Sequence, residues 1–90
     1  KDGGINTQNL QHEIAMVLYP NPATQHLIID RRQPSKAKLF IKNTIGQVVY
    51  EQQLSKANEF VDIAQLAPGL YLLMLSTEDG GLATKKFVMH

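Results

Sequence analysis

Seven short apolar, β-branched or aromatic runs, each closed by turn-forming residues, leave little room for helices in this 90-residue chain. The runs cover residues 16–19, 26–30, 37–42, 47–53, 59–63, 69–77 and 82–89. Between them stand Pro20-Asn21-Pro22, Gln33-Pro34-Ser35, Asn43-Thr44-Ile45-Gly46, Ser55-Lys56-Ala57-Asn58, Ala67-Pro68-Gly69 and Asp79-Gly80-Gly81. Runs of this length and spacing, with no helical period between them, predict an all-β sandwich or barrel. Residues 1–15 are polar and carry Gly3-Gly4. They read as a linker that packs in part on the domain spanning residues 16–90. The i, i+4 spacing of Leu10 and Ile14 allows at most one helical turn there.

Alternation assigns the faces. A pleated strand sends successive side chains to opposite sides, so Leu39 and Ile41 belong to the core, with Lys38, Phe40 and Lys42 opposite. In the run 69–77 both faces are apolar: Tyr71, Leu73 and Leu75 on one, Leu70, Leu72 and Met74 on the other. A central strand covered within the domain is the expectation. The Asn43–Gly46 turn predicts a type I turn closing on a left-handed glycine, with a bulge in the hairpin it makes. Asp79-Gly80-Gly81 predicts a second hairpin. In Ala67-Pro68-Gly69 the proline presets φ and the glycine permits a type II turn.

Composition excludes several functions. Nine Lys and Arg balance eight Asp and Glu, whereas nucleic-acid modules carry a strong basic excess. Without cysteine there is no disulfide framework, thiolate metal site or cysteine nucleophile. No apolar run is long enough for a membrane-spanning helix. The chain opens on Lys1 with no h-region behind it, so a segment of a longer precursor is expected. His12, His26 and His90 lack metal-ligand spacing, Ser35, Ser55 and Ser76 lack a nucleophile context, and no calcium or phosphate loop appears. An enzyme is not expected, nor is a cofactor or metal.

The order and spacing of the remaining features are more specific. Leu18-Tyr19-Pro20-Asn21-Pro22-Ala23 opens the domain. Asn43-Thr44-Ile45-Gly46 leads into Gln47-Val48-Val49. Val61-Asp62-Ile63-Ala64-Gln65-Leu66-Ala67-Pro68-Gly69-Leu70-Tyr71 follows, and Lys85-Lys86-Phe87-Val88-Met89-His90 closes the chain. From about Met16 to His90 this closely resembles the type A C-terminal sorting domain of type IX secretion substrates in Bacteroidetes.

The resemblance implies an all-β fold, a seven-stranded antiparallel, Ig-like β-sandwich. It implies an address that takes an exported cargo across the outer membrane, by way of the periplasm, to the cell surface or the medium. The implied partners are type IX shuttle and translocon proteins, a sortase-like peptidase that removes the domain, and the cargo domain preceding it. Pro20, Asn21, Pro22, Gly46, Leu66, Gly69 and Tyr71 match family motif positions and are mainly structural. Lys85, Lys86, Phe87, Val88 and Met89 match the terminal basic–apolar strand, the expected recognition element, with its edge open to strand pairing. Asn43 and His90 depart from the family's usual Asp and its usual Lys, Arg or Gln.

Two other classes compete. An Ig-like or fibronectin-like accessory module would bind carbohydrate or tether domains, and Phe40 is its best platform. A weak homo-oligomer would form through Leu70, Leu72 and Met74.

Overall fold

The computed structural model describes residues 12–32 and 34–90. Every regular element among them is a strand: β1 (His12–Glu13), β2 (Met16–Tyr19), β3 (His26–Arg31), β4 (Ala37–Lys42), β5 (Val48–Leu54), β6 (Asn58–Asp62), β7 (Gly69–Thr77) and β8 (Gly81–Met89). The expected runs are β2 to β8, with no end displaced by more than one residue. They form two sheets, one ordered β1-β8-β7-β4-β5 and one ordered β2-β3-β6. All pairings are antiparallel except β1 with β8.

The two inner faces make the core of a β-sandwich. Leu27, Ile29, Val61 and Ile63 meet Leu39, Ile41, Leu73, Leu75 and Phe87, all essentially without solvent exposure. Each such side chain contributes about 1.5–3 kcal/mol relative to an exposed one. Alternation is the cause: β7 buries Tyr71, Leu73 and Leu75, and β4 buries Leu39 and Ile41.

The opposite face of β7 departs from expectation. Leu70 is 47% exposed, and Leu72 and Met74 are only half-buried, so this face is not covered as a core strand would be. Leu72 lies between Lys42 on β4 and Lys86 on β8 in one cross-strand row. Long lysine stems can flank such a leucine while their ammonium groups stay in water.

β1 falls inside the segment read as linker. It pairs with Gly81 and Leu82, and the Ile14 amide donates to the Leu82 carbonyl at 3.0 Å. Ile14 packs against the core and is not helical. Leu10 lies outside the described residues.

Arg31 and Arg32, adjacent in sequence, lie in two environments. Arg32 is exposed, whereas Arg31 is 4% exposed. Its guanidinium donates to the Ser35 hydroxyl at 3.2 Å, the Ser35 carbonyl at 3.0 Å and the Lys56 carbonyl at 2.6 Å. It thereby ties the β3–β4 and β5–β6 connections together at one end of the sandwich. Desolvation lowers its pKa and the Glu59 carboxylate partly offsets that.

Candidate functional site

The last strand runs beside β7, with Tyr71 opposite Phe87, Leu72 opposite Lys86 and Leu70 opposite Val88. Phe87 and Met89 point inward and are 1% and 3% exposed, while Lys85, Lys86 and Val88 are exposed. Phe87 stacks on Tyr71 with ring centroids 5.5 Å apart. In the segment expected to serve recognition, two buried side chains thus hold the strand and three meet solvent: Lys86 and Val88 on the outer face, and Lys85 on the face that carries Phe87 and Met89. Lys86 also borders a shallow cleft of about 260 Å³ with Asn43, Thr44, Leu70 and Leu72.

The far edge of β8 is largely occupied. At its start lies β1. At its end lies the segment that follows β2. There the Asn21 side-chain oxygen accepts the Val88 amide at 3.0 Å, the Ala23 amide donates to the Val88 carbonyl at 2.8 Å, and the His90 amide donates to the Ala23 carbonyl at 2.8 Å. Ala23 is fully buried beside Met89. The edge on which strand pairing is expected is thus covered near both ends. Only the outward groups of Thr84 and Lys86 lack a strand partner on that side among the described residues.

Pro20, Asn21 and Pro22 therefore do more than stiffen an entry. Both X-Pro bonds are cis, and the segment reaches a strand 67 residues away through Asn21. That contact is long-range, so no local sequence signal could show it.

The other motif positions build turns. Gly46 has φ +89° and closes the expected type I turn, with its amide donating to the Asn43 carbonyl at 3.0 Å. The Asn43 side chain accepts the Ile45 and Gln47 amides and donates to Gln47. An aspartate could accept those two amides but not make the last bond. The bulge falls at Val49, which is skipped between the pairs Ile41–Tyr50 and Lys42–Val48.

The type II turn expected at Ala67-Pro68-Gly69 is not formed. The turn lies earlier, where the Leu66 amide donates to the Ile63 carbonyl at 3.0 Å and the Asp62 side chain accepts the Ala64 amide at 3.1 Å. The carbonyl of Ala67, which a type II turn would use, accepts the Tyr71 hydroxyl instead. Such a tyrosine hydroxyl bonded to backbone just upstream is the tyrosine corner of Ig-type sandwiches. Leu66 packs on the core edge, and Gly69 opens β7 at φ +151°.

The exposed aromatic side chains are not where the sequence suggested. Phe40 is half-buried, with the Lys38 ammonium 5.9 Å from its ring centre. Tyr19 and Phe60 are 44% and 58% exposed and share a cross-strand row with Ile28, while His26 stacks on Phe60. Strand register, which sequence alone leaves open, brings them together. Among the described residues no three His, Asp or Glu side chains are grouped to hold a metal ion.

Residues 17–90 match the family described as the secretion system C-terminal sorting domain. The chain belongs to that family. Its fold is shared by a solved structure of PorZ, described as an essential bacterial surface component of the type-IX secretion system of Porphyromonas gingivalis. The two superpose with a TM-score of 0.69 at 17% identity, over 84% of this chain and 11% of that one. No curated protein matches the chain. The sorting domain is a C-terminal secretion signal for type IX secretion, and what it addresses is export to the cell surface or the medium. Its family is one of sorting signals and is not known as enzymatic.

Proposed function

We propose that type IX shuttle and translocon proteins read the sorting domain through the exposed side chains of β8, Lys86 and Val88 on its outer face and Lys85 on the other. Phe87 and Met89 serve the same recognition from inside, by fixing the strand's position and pleat. One observation carries this reading: a strand anchored by two buried side chains presents two adjacent cations and an exposed valine. The motif residues Pro20, Asn21, Pro22, Gly46, Leu66, Gly69 and Tyr71 shape the domain that displays it. Adjacent cations favour a partner surface bearing carboxylates, which raises association rate and sets register.

In this reading residues 1–15 join the sorting domain (residues 16–90) to its cargo. The precursor crosses the periplasm, and a sortase-like peptidase cuts at or near that junction. The domain itself needs no cofactor.

The test is charge reversal in the full precursor, expressed in a type IX-competent host. Lys85→Glu with Lys86→Glu should strand the cargo inside the outer membrane while the thermal midpoint stays unchanged. Normal surface delivery of that double variant would refute the side-chain reading. Mass spectrometry of the released cargo locates the cut, and a mature C-terminus deep within residues 16–90 would refute the junction.

A further inference from the structure

Among the described residues the edge of β8 has one uncovered stretch, and its surroundings are suited to an incoming chain. Even-numbered residues of β8 turn their backbone groups away from β7. Leu82 does so toward Ile14, and Val88 and His90 do so toward Asn21 and Ala23. By the same alternation Thr84 and Lys86 each present one amide and one carbonyl at the edge. Neither has a strand partner there among the described residues. The stretch is about 10 Å long at strand rise. A cleft of about 410 Å³ opens beside it, lined by Ile14, Met16, Val17, Ala83, Thr84 and Lys85. Exposed Lys85 lies in this cleft, and exposed Lys86 stands on the opposite face of the same stretch.

We infer that residues 84–86 form a β-augmentation site for a short extended segment of a partner protein, one that carries a carboxylate and places a small apolar side chain in the cleft. Main-chain pairing supplies the attachment, and the cleft and the two lysines supply the choice of partner. The covered ends limit the register: a longer strand would collide with β1 on one side and with Asn21–Ala23 on the other. The occupant therefore pairs over only a few residues, without proline at the positions that must donate. This inference rests on the reading of β8 as the recognised strand, and it adds backbone to side chains.

Thr84→Pro removes the outward amide and leaves the bonds to β7, and edge strands tolerate proline at such a position. Thr84→Val keeps the amide. In the full precursor in a type IX-competent host, Thr84→Pro should lower surface delivery about tenfold, with Thr84→Val within about twofold of wild type. Equal delivery by the two variants overturns the inference. If Lys85→Glu with Lys86→Glu blocks delivery and Thr84→Pro does not, the side-chain reading stands and the edge site falls. Should Thr84→Pro fail to fold, amide exchange of the wild-type precursor decides. Thr84 and Lys86 amides should slow about tenfold on outer membranes containing the translocon, relative to membranes lacking it, as paired amides do. Equal exchange on the two membranes overturns the inference.

Discussion

Asn21→Ala should loosen the end of the terminal strand without unfolding the domain. The substitution removes the acceptor of the Val88 amide, a bond of 3.0 Å at an exposed position. A neutral hydrogen bond contributes about 0.5–1.5 kcal/mol net, and water can reach the freed amide here, so a loss of about 1 kcal/mol or less is expected. Two backbone bonds, Ala23 to Val88 and His90 to Ala23, still hold the segment. The effect is therefore local: the Val88 amide should exchange about fivefold faster, while core amides such as Leu73 are nearly unchanged. The thermal midpoint should fall by no more than about 8 °C for a domain of this size. Asn21→Asp keeps an acceptor and should restore slow exchange, since a charged acceptor strengthens the bond. Native-state amide exchange by NMR on the three proteins is the assay. Unchanged Val88 exchange in Asn21→Ala, or an aspartate variant that exchanges like the alanine one, would refute the reasoning.

Tyr71→Phe retains the stack on Phe87 but loses the bond to the Ala67 carbonyl, and should cost about 1 kcal/mol in urea unfolding. Tyr71→Ala also empties a core position and should cost about 3–5 kcal/mol, by analogy with other buried aromatics. At Gly46 an added Cβ would meet no atom within 4 Å, so only the φ of +89° opposes it; Gly46→Ala should cost about 1–2 kcal/mol, and a larger loss would point to a contact. Burial, and secondarily Asp62, raise the Tyr50 pKa above its usual value. The folded state then binds that proton more tightly than the unfolded chain. The stability this contributes is complete below pH about 10 and is lost as pH rises through the higher folded value. Chemical denaturation from pH 8 to 11 should show a steeper decline for wild type than for Tyr50→Phe. Self-association through the Leu70, Leu72 and Met74 face would appear in analytical ultracentrifugation as a monomer–dimer equilibrium that Leu70→Ser abolishes.

The strands and core were legible because period-two alternation is local and strong. Leu39, Ile41, Leu73 and Leu75 are inside for the reason the sequence gives: their neighbours are polar or face the other side. The hairpin at Gly46 was legible because its whole hydrogen-bond set lies within five residues. The turn before β7 was misplaced because two local signals competed. Pro68-Gly69 favours a type II turn, but Asp62 caps an earlier turn and the Tyr71 hydroxyl claims the Ala67 carbonyl. What remained illegible is whatever depends on register between distant strands. Arg31 looks like half of a basic surface pair until Ser35 and Lys56 are brought to it. Tyr19 and Phe60 become neighbours only once β2 and β6 flank β3. The exposure of Leu70 could not be read either, since an apolar face shows no partner in its own sequence.

The Pro-Asn-Pro sequence explains how the edge of β8 is closed without creating another. An ordinary strand laid on that edge would satisfy Val88 with main-chain groups and then present its own unpaired row to solvent, a template for pairing between copies. Prolines at 20 and 22 carry no amide and cannot extend a ladder outward. The acceptor that Val88 needs must then come from a side chain, and Asn21 provides it. Ala23, two residues on, restores main-chain pairing with Val88 and His90 and is fully buried. The order Pro-Asn-Pro-Ala thus reads as no donor, side-chain acceptor, no donor, small donor. Replacing Pro20 and Pro22 together with Thr would supply an amide at each position. The expected result is a folded domain that self-associates at its β8 edge, seen as concentration-dependent sedimentation. A variant that folds and remains monomeric would show that the prolines act on chain direction alone and not on the edge.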